Sequence, residues 1–250
     1  MKKMKVLELF SGTASFSQVA RARGHECVTL DNDSRFNPDI CKDIMEFELA
    51  DLKGFEPDVV WASPPCEAFS VNTIGRNWIA GQYPKSEKAE KALLVIERTI
   101  AIIELLAPRF YIIENPRAML RNQMMMLRFP RKTVTYCQYG ELRMKPTDLW
   151  TNIPFEARSC KYGDPCHPRT PRGHYSGKSY QQLAKVPRRL CEEIIMACEA
   201  HISDKEVNPN DKTTSISWEN VGRAERRSLS PSLHQGKPKA TQGLLQAVMF

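Results

Sequence analysis

Cys66 directly follows Pro64-Pro65, at the end of an apolar, β-branched run from Pro57 to Ala62. Two prolines cannot continue a strand, so they make a rigid turn there. Cysteines kept for packing usually lie buried inside an element. One on a braced turn at a strand mouth can act as a nucleophile, where its surroundings lower its pKa. Glu114-Asn115 closes the next apolar run, Phe110 to Ile113, so a carboxylate can face the same crevice. A thiol nucleophile and a carboxylic acid at neighbouring strand mouths suit attack on an electron-poor ring, with proton delivery to it.

Three earlier strand ends also carry polar residues. Lys5 to Phe10 ends in the tight turn Phe10-Ser11-Gly12-Thr13, which has one glycine and so lacks the dinucleotide fingerprint. Asp31 ends the run from His25 to Leu30 and can accept hydrogen bonds from both ribose hydroxyls of an adenosine; a solvated turn aspartate would look the same. Asp43-Ile44, after a short strand over 39–42, could lie beside an adenine ring. Cys160, Cys166, His167 and His174 invite a zinc reading, because thiolates and imidazoles suit that ion. Their spacing is not that of a standard finger, so no metal ligand is assigned. The alternative is a basic loop that sets Arg158, Lys161, Arg169 and Arg172 on a polyanionic partner.

These residues need a scaffold. Ser17 to Arg23 has helical character and stops at Gly24, and Ala89 to Ala107 repeats Leu93, Ile96, Ile100, Ile103 and Leu106 with helical period before Pro108. Strands alternating with helices predict an α/β protein on a parallel sheet, whose ligands lie outside the carboxyl ends of the strands. Thr133 to Tyr139 and Leu149 to Asn152 read as two more strands, and Leu183 to His201 as one helix with Pro187 in its first turn. The polar stretch Ser70 to Lys85 reads as a mobile loop able to close over a ligand, the alternative being an ordinary long crossover. Met119 to Met126 reads as packing. Residues 1–202 are taken as one domain, with 203–250 as a disordered tail.

Composition narrows the classes. The 250 residues are 42% apolar, enough for a real core, and carry 36 basic against 29 acidic residues, a net charge of +7. That excess permits a polyanionic partner without requiring one. No apolar run approaches the roughly 20 residues of a membrane span, and the basic N-terminus lacks a signal-peptide core. The expectation is a cytoplasmic protein with no membrane partner. Eight irregularly spaced cysteines do not make a disulfide framework.

Taken together, these residues resemble the cytosine-5 DNA methyltransferases. Glu8-Leu9-Phe10-Ser11-Gly12 is similar to the family's first motif, Asp31 to its ribose-binding acid and Asp43-Ile44 to the pair around the adenine. Pro64-Pro65-Cys66 with Phe69-Ser70 resembles the catalytic motif, and Glu114-Asn115 the motif that grips the target base. Tyr136 to Gly140 with Arg143, Lys145 and Thr147 resembles the strand bearing polar active-site residues, and Ala184 to Pro187 the last motif, whose helix returns to the cofactor pocket. The resemblance covers 4–200 in the family's motif order. Two departures stand out: Pro116 replaces the usual valine after the Glu-Asn pair, and an Arg-x-Arg pair reads Lys145-x-Thr147, without the planar fork of arginine.

The resemblance implies a Rossmann-like S-adenosylmethionine-dependent methyltransferase sheet with a small irregular recognition segment over 153–180. It implies S-adenosylmethionine held by Phe10, Ser11, Gly12, Thr13, Asp31, Asp43, Ile44 and Pro64, with Cys66, Glu114 and Lys145 catalytic. The substrate would be double-stranded DNA, its cytosine flipped into the pocket. Arg121, Arg128, Arg131 and Lys132 are expected at phosphates, although a solvated face would look the same. The recognition segment is short, as in compact phage-borne members serving restriction-modification, so the resemblance implies a bacterial or phage-infected host cell and a sequence specificity that is short, relaxed or supplied by a protein partner to an otherwise monomeric chain. Two alternatives stay open: a non-catalytic DNA- or partner-binding relative, and an exocyclic amino DNA methyltransferase.

Overall fold

The computed structural model describes residues 2–168 and 179–204. The predicted tail, apart from its first two residues, lies outside them. Five strands are mutually parallel: β1 (Lys5–Leu9), β2 (Glu26–Asp31), β3 (Ile40–Cys41), β4 (Val59–Ala62) and, after a small hairpin of β5 (Trp78–Ile79) and β6 (Tyr83–Pro84), β7 (Phe110–Pro116). The last two, β8 (Arg131–Thr135) and β9 (Pro146–Thr151), complete a seven-stranded sheet of order β3-β2-β1-β4-β7-β9-β8. The expected all-parallel sheet needs one correction. β9 runs antiparallel to both β7 and β8. The 10 residues between β8 and β9 are too few for a helical crossover, so the chain simply turns back.

Both faces of the sheet are covered, which is why its strands read as continuous apolar runs. Val59, Trp61, Phe110 and Ile112 point into one core, with α1 (Ser15–Ala22) and the last helix, α5 (Arg188–Asp204). There Phe16 stacks on Trp61 at 4.6 Å between centroids. Val60, Ala62, Tyr111 and Ile113 point into the other, beneath α3 (Glu87–Leu106). α3 starts where Ser86 accepts a bond from the Ala89 N–H, with Glu87 and Glu90 in its first turn, and it ends at Ala107 in the left-handed region before Pro108. A partly buried triad fastens the first core: Glu199 accepts two bonds from Arg23, at 2.9 and 2.6 Å, and one from buried His25 Nε2 at 2.9 Å.

Other boundaries differ from the sequence reading for local reasons. β7 runs on through Glu114, Asn115 and Pro116, because β9 pairs with them. β8 stops at Thr135, and Tyr136–Tyr139 coils into a helical turn ended by Gly140 at φ +93. The expected helix over 183–201 is two, α4 (Tyr180–Ala184) and α5, because Lys185-Val186-Pro187 breaks it. Ser70 to Lys85 is folded rather than open. It holds the short helix α2 (Ile74–Asn77) and the β5–β6 hairpin, which turns at Ala80 and Gly81, both at positive φ. Trp78 and Asn77 are buried, and their side chains donate to the Ala68 carbonyl at 2.7 and 3.2 Å. Among the described residues no helix is long and apolar enough to cross a membrane.

Candidate active site

The order of the sheet reverses between β1 and β4, and the crevice at their carboxyl ends is where such sheets bind ligands. A cavity of about 380 Å3 opens there, within the range of small-molecule sites. Phe10, Ser11, Gly12, Thr13, Asp31, Asp43, Ile44, Pro64, Cys66, Glu114 and Lys145 all line it. Residues far apart in sequence thus meet on one wall system.

The turn after β1 has Phe10 at φ +57 and Gly12 at φ +46. Gly12 is needed there for conformation, and the space a Cβ would take is open. The Asp31 carboxylate holds this turn by accepting from Gly12 N–H at 2.7 Å and from Asp33 N–H at 2.9 Å. A carboxylate has about four lone-pair sites, so two remain for a ligand's hydroxyls. α1 begins at Ala14 with no side-chain cap of its own. Buried Glu8 serves instead, accepting from Ser17 N–H at 2.7 Å and Phe16 N–H at 3.3 Å. Burial raises the Glu8 carboxyl to about 7 despite those bonds.

At the other end, β4 runs into Ser63-Pro64-Pro65 and delivers Cys66 to the start of a helical turn over Glu67–Phe69. Asn115, itself buried, donates its amide to the Pro64 carbonyl at 2.9 Å and so ties the turn to β7. Burial first, then the Glu114 carboxylate, push the Cys66 thiol up, while Lys145 pulls it down. The free protein therefore holds a protonated thiol, which corrects the expectation of a lowered pKa. Glu114 Oε1 accepts from the Tyr136 hydroxyl at 3.0 Å. Burial and that carboxylate push the phenol well above its ordinary range, which keeps it a donor.

Lys145 precedes β9 at this same edge, with Nζ 4.7 Å from the Tyr136 ring centre and donating to the Leu183 carbonyl at 3.3 Å. Arg143 donates to that carbonyl too, at 3.4 Å. The chain after α4 then folds back on the first turn, Val186 N–H donating to Ser15 Oγ at 3.4 Å. Gln181, Ala184 and Val186 line the cavity, as do Glu8 and Phe36. Sequence reasoning assigned none of these to the site by residue, although Glu8, Ala184 and Val186 stand in motifs it quoted.

Three of the expected phosphate contacts have other partners. Arg121 forks onto buried Asp148 at 2.9 and 2.6 Å, Arg128 pairs with Glu104 at 2.5 Å, and Lys132 donates to the Ile153 carbonyl at 3.1 Å. Arg131 is exposed, as is Arg76 beside the hairpin. Of the residues read as a zinc set, Cys160, Cys166 and His167 cluster with Cys137; His174 lies outside the described residues, with Arg169 and Arg172.

The chain is similar in sequence to known proteins. Residues 4–128 match the model of the C-5 cytosine-specific DNA methylase family. A protein of frog virus 3 (isolate Goorha) named "Probable DNA (cytosine-5)-methyltransferase" is 37% identical over 189 residues, 72% of this chain and 86% of that protein. Among solved structures, the Entamoeba histolytica methyltransferase EhMeth matches at 13% identity and TM-score 0.44, over 64% of this chain and 58% of its own. The S. pombe Dnmt2 methyltransferase matches at 17% and 0.39, over 63% and 52%. This chain thus spans little more than half of either solved protein, and likeness at those scores adds nothing to the topology described above. The family match and the viral relative decide the matter: the chain belongs to the C-5 cytosine-specific DNA methylase family.

Proposed function

We propose that the chain moves a methyl group from S-adenosylmethionine to carbon 5 of a cytosine flipped out of double-stranded DNA, with Cys66 as covalent nucleophile. One observation carries this reading: Cys66, Glu114 and Lys145 line the same cavity as Asp31 and Asp43. The nucleophile and the nucleoside-type donor set thus share one wall system.

The donor residues fit the cofactor. Gly12 leaves open space where a side chain would stand, Asp31 keeps two acceptor sites, and Ile44 gives an apolar surface for a base. When bound, S-adenosylmethionine supplies a methyl group on a positively charged sulfur. The protein does the rest. Cys66 gives its proton to solvent water and adds as the thiolate to carbon 6 of the ring, which makes carbon 5 electron-rich. Glu114, carrying a proton, donates it to ring nitrogen 3 as charge builds there and accepts from the exocyclic amine, and Tyr136 fixes the carboxyl group for that role. Carbon 5 takes the methyl group, then gives up its proton to a base as the bond to Cys66 breaks. Lys145 supplies positive charge beside Cys66, favouring the thiolate. Extruding the base costs a few kcal/mol, met by contacts to the flipped nucleotide and to DNA phosphates, for which Arg76 and Arg131 are exposed.

The experiment is methyl transfer from labelled S-adenosylmethionine to unmethylated duplex DNA, followed by base-resolution mapping. The reading expects 5-methylcytosine within a short sequence motif. Label on the exocyclic nitrogen, or cofactor binding without transfer to varied DNA, would reject it.

A further inference from the structure

Four side chains outside the cavity converge where the sheet edge meets the segment after β9. Cys137 lies in the turn that follows β8; Cys160, Cys166 and His167 come from residues 152–168, which form neither helix nor strand. Their ligand atoms all lie within 4.8 Å of one another. Cys137 Sγ is 3.2 Å from Cys160 Sγ and 3.8 Å from Cys166 Sγ. His167 Nδ1 is 3.3 Å from Cys166 Sγ and 3.7 Å from Cys160 Sγ. Around a tetrahedral zinc ion, bond lengths of about 2.3 Å to sulfur and about 2.0 Å to nitrogen place sulfurs about 3.8 Å apart, and sulfur and nitrogen about 3.5 Å apart. The observed edges scatter about those values. A disulfide would use two of the sulfurs, near 2.05 Å apart, and leave the third sulfur and the imidazole without a role.

The surroundings suit a closed site. Cys137 and His167 are buried, while Cys160 and Cys166 lie nearer the surface, giving an ion a way in. Thr135 orients one ligand, since its hydroxyl accepts from the Cys160 N–H at 2.9 Å and lies 3.3 Å from its sulfur. Ile153, Phe155 and Ala157 pack on the core and Arg158 is held by Tyr139 and Glu193, but no side chain of 159–168 joins either core cluster, so a metal would be the staple for that stretch.

We propose that Cys137, Cys160, Cys166 and His167 bind one zinc ion in a closed structural site that staples the segment after β9 to the end of β8. Cys137 follows Tyr136, whose hydroxyl donates to Glu114. The staple therefore fixes the carboxylate edge of the cavity and the start of the stretch leading to α4. The fourth ligand comes from before β9, so no spacing motif within 153–180 would reveal it.

The test uses the full chain, reduced and handled without oxygen, and needs no activity. Zinc supplied at one equivalent per chain should stay bound through desalting at one per chain. Cobalt substitution should give the visible bands and the thiolate-to-cobalt charge transfer of a tetrahedral thiolate-rich site. Cys166→Ser, near the surface and least expected to upset folding, should lower retained zinc about tenfold, and Cys137→Ser likewise. Cys41→Ser, at an exposed cysteine elsewhere, should change nothing. Retention below about a tenth of an equivalent, a six-coordinate cobalt spectrum, or unchanged zinc in Cys166→Ser would each overturn the site. So would a Cys137–Cys160 disulfide under these conditions.

Discussion

Replacing Asn115 with alanine separates the placement of Cys66 from its chemistry. The Asn115 amide donates to the Pro64 carbonyl at 2.9 Å, two residues before Cys66, and Asn115 is only 1% exposed. Alanine removes that donor and leaves a buried carbonyl without a partner. The bond itself contributes about 1 kcal/mol net, and an orphaned buried acceptor costs about 1–3 kcal/mol more. Stability in urea should therefore fall by about 2–4 kcal/mol. The kinetic effect is larger than a bond count suggests, because the turn is then free to shift. A misplacement of about 1 Å costs about 100-fold in rate, or about 2.7 kcal/mol of barrier. Single-turnover methyl transfer should fall by that factor, with the dissociation constant of S-adenosylmethionine unchanged, since most residues facing the cofactor sit on other turns. The reasoning fails if the rate stays within about threefold of wild type while stability drops by the full amount. In that case the Pro-Pro turn holds Cys66 by its own stiffness.

Other consequences follow from the same geometry. Cys66, pushed above its ordinary 9.0 by burial and by Glu114, should reach half-maximal alkylation only above pH 9.0, read by mass spectrometry of its peptide; Lys145→Gln should move that midpoint higher, and a midpoint below 9.0 would contradict the assignment. Glu8 rises from 4.5 to about 7, so the folded state binds a proton there that the unfolded chain has released. Its contribution is fully present below pH 4.5 and is lost as pH rises through about 7, about 3 kcal/mol in all. Across that window wild type should lose about 3 kcal/mol of stability relative to Glu8→Gln as pH rises, read by denaturation at each pH, and a pH-independent difference would refute it. Gly12→Ala places a Cβ at φ +46 in open space beside the cavity, so it should cost about 1 kcal/mol in stability and weaken cofactor binding by calorimetry. Unchanged binding would remove Gly12 from the cofactor wall.

Much of the site was legible because strand ends announce themselves. Pro64-Pro65 and the turn at Gly12 interrupt apolar runs at positions where the fold must place ligands, and those interruptions needed no tertiary information. Partners from distant segments left no such mark. Nothing local tells that Glu8 caps α1, that Asn115 reaches Pro64, or that Arg121 is claimed by Asp148 rather than by phosphate. The Ser70 to Lys85 stretch looked open because its order comes from single anchors, Trp78 and Asn77 on one carbonyl, rather than from periodicity. β9 gave an apolar run but not its direction, which depends on how its short connection to β8 closes. Cys137 was invisible as a ligand for a related reason, standing 23 residues before Cys160 with β9 between them.

Trapping decides whether Cys66 is the nucleophile. Duplex DNA containing 5-fluorocytosine at the mapped site, incubated with S-adenosylmethionine, should give a protein–DNA adduct stable to denaturing gels and mapped to the Cys66 peptide, because fluorine at carbon 5 cannot leave as a proton. Cys66→Ser should give no adduct and no methylation. Methylation by wild type without an adduct, or methylation that survives in Cys66→Ser, would contradict the mechanism.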